Sequence, residues 1–251
     1  MSHHLVEVRQ LQHRYPDGSF GINAVSFRIE HGEAVAIIGA NGAGKSTLLQ
    51  HLNGTLVATA GQVRIGDGLL TPATLSQVRR SVGMVFQNPD DQLFMATVGE
   101  DVAFGPLNLG LSGEELEARV VAALGQVDAR HLRHKAPYHL SGGEKKRAAI
   151  ATVLAMMPDV LVMDEPTGGL DPFSRRQVMH LLAGFSHTRI VASHDLDMVL
   201  ELFPRTIILC NGEVAADGPT RDIFRDRELL ARCRLEQPLA MQGCPVCRGG
   251  C

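Results

Sequence analysis

Residues 39–47, Gly39-Ala40-Asn41-Gly42-Ala43-Gly44-Lys45-Ser46-Thr47, carry the strongest chemical pattern in the chain. They fit G-x-x-x-x-G-K-[ST], follow the apolar run Ala34–Ile38 directly, and lead into a helical pattern, STLLQHL. That strand–loop–helix context is the one a phosphate-binding loop requires. Small residues let successive backbone N–H groups point inward around phosphate oxygens. The helix N-terminus adds the positive end of its dipole. Lys45 supplies a point charge for the β- and γ-phosphates, and the Ser46 hydroxyl is placed to ligate Mg²⁺. The expected ligand is a nucleotide with Mg²⁺.

A second group of residues has the complementary chemistry. The apolar run Val160–Met163 ends in Asp164-Glu165. A buried strand ending in two acids puts both at the C-terminal edge of a sheet, where open α/β sheets bind ligands. Asp164 is expected to hold Mg²⁺ through its water shell, and Glu165 to polarise the attacking water as general base. His194 follows another apolar run and can reach a γ-phosphate from the same edge. Gln87 ends the run VGMVF, and its amide can bond to Mg²⁺ and to the attacking water.

Positioning these residues demands a sheet buried on both faces. Ala34–Ile38, Val82–Phe86, Val160–Met163, Ile190–Ala192 and Thr206–Leu209 are short, aliphatic and uninterrupted, as strands of a parallel sheet are. Helical patterns lie between them: Ser112–Leu124 with a Ser cap and two early glutamates, Gly143–Met156, and Pro172–Phe185 with Pro in its first turn. Leu5–Leu11 and Ala24–Ile29 instead alternate apolar and polar residues, and predict half-exposed antiparallel strands. The fold class is α/β: a mostly parallel sheet core, an antiparallel β layer, and a helical subdomain inserted at about 88–142. One domain is expected over 1–235, with a flexible tail at 236–251.

Composition narrows the function. The chain has 251 residues, 45% hydrophobic and 20% charged, with 26 Gly and a net charge of −3. Such values exclude a disordered chain, and the mild acidity argues against nucleic acid as a partner. No stretch is long and apolar enough for a spanning helix, which needs roughly 20 residues. The N-terminus has no signal-peptide core, so a cytoplasmic chain is expected.

One segment has no place in a simple phosphate-loop enzyme. Leu140-Ser141-Gly142-Gly143-Glu144 resembles the LSGGQ-type signature of ABC transporter ATPases, with Glu144 where Gln is usual. The order of phosphate loop (39–47, Walker A), Gln87 (Q-loop), signature (140–144), 160–165 (Walker B), Gly169-Leu170-Asp171 (D-loop) and His194 (switch) is similar to that family over roughly 5–225. The resemblance implies a P-loop NTPase of ABC type that hydrolyses ATP with Mg²⁺. Tyr15 stands where the family stacks an aromatic on adenine; a surface Tyr in a hairpin is the alternative. Ser141, Gly142 and Gly143 of one subunit would close onto the ATP held by a partner. The ATPase would be a homodimer or a dimer with a paralogous ATPase.

Gln87-Asn88-Pro89-Asp90-Asp91-Gln92-Leu93-Phe94 with 97–106 resembles the energy-coupling-factor subgroup, and most of all the ATPase subunit of cobalt/nickel importers. That implies a transmembrane coupling subunit and a substrate-binding membrane subunit as partners, and a place on the cytoplasmic face of the cell membrane. Leu93, Phe94 and Met95 are candidates for the membrane-partner contact; core packing is the competing reading. A vitamin such as biotin is the alternative cargo, and a soluble ABC ATPase acting on nucleic acid is a further alternative. The chain ends soon after Leu235, which leaves a C-terminal dimerisation role in doubt. Cys244, Cys247 and Cys251 form a C-x₂-C-x₃-C group that could bind a soft or borderline metal.

Overall fold

In the computed structural model the structure describes residues 6–242. Two sheets and a set of helices build two cores. Strands β1 (Val6–Arg14), β2 (Phe20–Ile29), β4 (Ala60–Ile65) and β5 (Gly68–Leu69) form an antiparallel sheet in the order β2-β1-β4-β5. Strands β3 (Ala34–Ile38), β6 (Val82–Val85), β7 (Val160–Asp164), β8 (Thr188–Ala192), β9 (Arg205–Cys210) and β10 (Glu213–Pro219) form a second sheet, ordered β10-β9-β3-β8-β7-β6. All its pairs are parallel except β10 on β9.

The uninterrupted apolar runs are explained by this second sheet. Val35 and Ile37 of β3 face one core, and Ala34, Ala36 and Ile38 face the other. Successive side chains alternate between faces, so a strand covered on both sides needs an apolar residue at every position. Helix α1 (Lys45–Leu52) lies in the first core, with Leu48, Leu49 and Leu52 packed with residues of both sheets. The second core lies under α3 (Val98–Asn108), α4 (Gly113–Gln126), α5 (Gly142–Leu154), α6 (Pro172–Gly184), α7 (Leu196–Leu202), α8 (Thr220–Arg225) and α9 (Arg227–Arg232). Helix α2 (Leu75–Ser81) precedes β6.

The expected elements are present, with shifted ends. The antiparallel strands are longer than the alternation implied, because Gln10 and Ala24 adopt left-handed φ of 46° and 52° and break the period. The expected Ser cap at 112 is not formed: Ser112 makes no side-chain cap bond to α4. Gly113, the first helical residue, takes a left-handed φ of +58°, so the first turn departs from the regular geometry a cap bond needs. Ser141 and Thr97, by contrast, each close a capping box, with Glu144 and Glu100 as third helical residues.

Candidate active site

The ends of β3, β6, β7 and β8 bring the predicted residues to one edge of the parallel sheet. A cleft of about 350 Å³ is lined by Tyr15, Asn41, Gly42, Gly44, Lys45, Ser46, Thr47, Gln87, Asp164, Glu165 and His194, together with Phe20 and Gly21. A groove of about 750 Å³ between α4, α5 and α6 is larger but holds none of these groups.

The phosphate loop has an open helix end. Gly44 caps α1 at φ 100°, no side chain caps the helix, and its first turn carries no acid. The N–H groups there are donors without a competing internal anion. A side chain at Gly44 would meet the Gly21 carbonyl at 2.3 Å, so only glycine fits. Gly39, Ala40 and Ala43 do not line this cleft. A Cβ at Gly39 would strike the Leu209 carbonyl of β9 at 2.4 Å. That glycine lets the loop rest against the sheet. Lys45 is buried and its Nζ donates to the carbonyls of Gly39 (2.8 Å) and Ala40 (3.2 Å). Burial pushes its pKa down, and the charges of Glu165 and Asp164 oppose that.

The acids are buried and incompletely bonded. Asp164 Oδ1 and Glu165 Oε1 are shielded from solvent without a hydrogen-bond partner. Buried acceptors of this kind are uncommon and point to a missing cation or donor. Burial pushes the Glu165 carboxyl up; the backbone N–H and ring of His194 and the Lys45 charge pull it back. Glu165 holds a left-handed φ of 48°, a strained backbone for a side-chain-bearing residue, while its N–H still donates to Ala192 O at 2.9 Å. His194 N–H donates to Glu165 Oε2 at 3.1 Å. Its Nε2 lies 3.1 Å from Glu165 Oε1 and 3.4 Å from Lys45 Nζ. One ring nitrogen cannot accept from Lys45 and donate to Glu165 at once, and Oε1 in fact receives no well-directed bond.

These residues fit Mg²⁺-nucleotide. Oxygen donors from Ser46, Gln87 and Asp164 line the same cleft, and a hard cation prefers such a set. Tyr15 is partly exposed, with its hydroxyl bonded to Thr47 Oγ1 at 2.8 Å and a ring edge against His13. Phe20, exposed beside it, was not foreseen. Its only sequence signal is its place across the hairpin from Arg14.

The signature residues lie elsewhere. Ser141, Gly142 and Gly143 do not line this cleft. Ser141 Oγ accepts from Glu144 N at 3.3 Å, and Ser141 N donates to Glu144 Oε2 at 2.8 Å. That backbone bond, with the Ser141 hydroxyl and Lys135 adding to it, holds the Glu144 carboxyl below its usual range.

The chain matches the family model described as "ABC transporter" over residues 22–168. The chain belongs to the ABC transporter ATPase family. A Geobacter sulfurreducens relative whose name carries the words ABC transporter ATP-binding protein is 68% identical over 98% of this chain and 99% of its own. The energy-coupling factor transporter ATP-binding protein EcfA of Methanothermobacter thermautotrophicus is 48% identical over 93% of this chain and 77% of its own. The structure is similar to CbiO1 of Clostridium perfringens, part of the ABC transporter complex CbiONQ (TM-score 0.80, 37% identity, 92% of this chain and 94% of that one). It is similar too to a dimeric ATP-binding cassette solved with ADP and phosphate (TM-score 0.79, 30% identity, 86% of this chain and 99% of that one). The activity of this ABC ATPase is ATP hydrolysis coupled to transport.

Two expectations need correction or restriction. Leu93 is buried in the core under α3, so only Phe94 and the half-buried Met95 remain as surface candidates. Asp101, itself buried, fixes both by accepting their backbone N–H groups at 2.9 and 3.0 Å. Phe94 meets Phe104 edge-on at 5.0 Å, and with exposed Leu107 they form an apolar patch. Cys244, Cys247 and Cys251 lie outside the described residues. Among the described residues no group of three or more His, Cys, Asp or Glu could hold a metal.

Proposed function

We propose that this chain is the ATP-hydrolysing subunit of a membrane importer of cobalt or nickel ions, working as a dimer at the cytoplasmic face. The observation that carries the catalytic part is the pair of orphaned buried carboxylate oxygens facing Lys45 and the uncapped α1 terminus. Lys45 and the loop N–H groups from Gly42 to Thr47 bind the β- and γ-phosphates, releasing the Gly39 and Ala40 carbonyls that now hold Lys45. Ser46, Gln87 and Asp164 would hold Mg²⁺, which would neutralise charge on the phosphate oxygens. Glu165, raised by burial and held toward its ionised form by His194 and Lys45, takes the proton of the attacking water. His194 reads the γ-phosphate and orients Glu165. Tyr15 stacks on the adenine, with Phe20 beside it.

Ser141, Gly142 and Gly143 serve the nucleotide of a second ATPase chain, either another copy or a paralogue. Their absence from the cleft that holds Lys45, Ser46, Gln87, Asp164, Glu165 and His194 supports this. Closure then adds donors to a phosphate that one chain alone cannot surround. The patch of Phe94, Phe104 and Leu107 receives the transmembrane coupling subunit, which with a substrate-binding membrane subunit carries the cargo. No helix among the described residues is long and apolar enough to cross a membrane.

Support for metal cargo is the stretch 87–106 and the likeness to CbiO1. The EcfA names of several relatives favour a second reading, an energy-coupling ATPase for a vitamin such as biotin. Uptake of cobalt, nickel and biotin by cells carrying the wild-type chain or Glu165→Gln separates them. Loss of metal uptake supports the first reading, and loss of biotin uptake alone the second. Loss of neither overturns both.

A further inference from the structure

Lys146 is the largest fully buried side chain among the described residues, with 2% of its surface exposed. It lies on the inward stripe of α5 with Ala149, Ile150 and Val153, at positions one or two turns apart. That stripe calls for an apolar residue. A buried ammonium costs several kcal/mol unless its bonds compensate, and among the described ion pairs Lys146 has none. Its Nζ instead donates to two backbone carbonyls, Gln87 O at 2.6 Å and Glu165 O at 3.4 Å. These carbonyls sit at the ends of the neighbouring strands β6 and β7.

We propose that Lys146 is a positioning residue, whose ammonium ties the backbone of Gln87 and of Glu165 to the helix that begins at the signature turn. Other bonds fasten the segment after β6 to α5 and, through Asp101, to α3. Lys145 pairs with Asp90 at 2.6 Å, and Gln92 Nε2 donates to Ala149 O at 2.8 Å and Thr152 Oγ1 at 2.7 Å. Gln92 Oε1 also accepts from Phe86 N at 3.2 Å. Among the described hydrogen bonds, only those of Lys146 continue from that strap to Glu165. Glu165 holds a left-handed backbone that relaxes unless restrained from outside, and its carbonyl, which also accepts from Gly168 N at 3.2 Å, is one of its points of restraint. A displacement of α5 when Ser141 engages another chain therefore reaches the backbone of Gln87 and of Glu165 together through the Lys146 ammonium. Misplacement of a reacting group by about 1 Å costs up to roughly a hundredfold in rate. This inference rests on the roles given above to Gln87 and Glu165.

The test begins without nucleotide. Lys146→Met keeps the length of the side chain and removes its donors. Amide hydrogen exchange is expected to speed up at 86–92 and 165–168, with β3, β8 and β9 unchanged. In the same protein kcat falls by at least about tenfold while the Kd for ATP stays within about threefold. Lys146→Gln, a neutral donor, is expected to lie between Met and wild type. Unchanged exchange at both segments overturns the proposal, as does faster exchange throughout the core, or a loss confined to ATP affinity. If Lys146→Met does not fold, the same measurements on Lys146→Gln decide. Turnover that survives in Glu165→Gln would overturn the catalytic reading itself, whatever the Lys146 variants do.

Discussion

The protein has two glycine-rich helix starts, at α1 and α5, and they are finished differently. The start of α1 has Gly44 as its cap, no side-chain bond and no acid in the first turn. The start of α5 is closed by Ser141 and Glu144 in a reciprocal capping box. The first sits in a cleft walled by buried carboxylates with unmet acceptors, and the second on an exposed surface with its own donors occupied. A helix end left open inside a cleft is built for an anion at rest. A helix end closed by its own carboxylate stays soluble and gives up those bonds only to something better. That contrast is what a site divided between two chains requires.

The largest effect is expected at the open end's acid. Glu165→Gln should lower kcat by about 10³-fold, within the range for loss of a general base, while ATP still binds. Steady-state turnover and nucleotide titration check both halves. Turnover within tenfold of wild type would remove Glu165 from its role.

Next comes a pair of glycines. Gly44→Ala forces a side chain into φ 100° and against Gly21 O, and should cost at least about 2 kcal/mol of stability. Gly142→Ala meets nothing within 4 Å and should leave monomer stability within about 0.5 kcal/mol. Denaturant unfolding of the two variants compares them directly. Equal costs would mean that the two helix starts are not built differently.

A smaller effect is expected from charge at the capped end. Glu144→Gln keeps an acceptor for Ser141 N and removes a carboxylate from the path of an incoming phosphate. ATP-dependent association should strengthen severalfold, read by analytical ultracentrifugation. Weaker association would mean that the charge itself holds the turn.

The smallest is thermal. The folded pKa of Glu165 is raised above its ordinary value of 4.5, so the ionised form is disfavoured in the folded state at neutral pH. Glu165→Gln should then raise Tm by about 1–3 °C at neutral pH. The gain should shrink as pH falls through the folded pKa and vanish below 4.5, where the carboxyl is protonated in both states. A gain that persists in acid would assign it to packing.

Much of this was legible in the sequence, for reasons particular to each element. Ala34–Ile38 reads as a two-faced strand because both of its faces are covered. The phosphate loop reads because its glycines, Lys45 and Ser46 have fixed local spacing. Lys146 was not legible: it occupies a core position on α5, and its partners lie 59 and 19 residues away. Phe20 carries no motif and reaches the cleft only through hairpin register. Leu93 and Phe94 are adjacent and equally apolar, and only the tertiary fold buries one and exposes the other. Ser112 and Ser141 are both followed by a glutamate three residues on, yet one left-handed glycine undoes the first box.

The division of the site between chains is tested most directly by mixing two inactive variants. Lys45→Ala spoils the open helix end, and Ser141→Arg spoils the capped one. If the capped end serves a second copy, a mixed dimer holds one intact site, and ATP hydrolysis should return to at least about a tenth of wild type. If mixing folded, individually inactive chains restores nothing, copies of this chain do not complete one another's sites, and the claim that the site is divided between two copies fails.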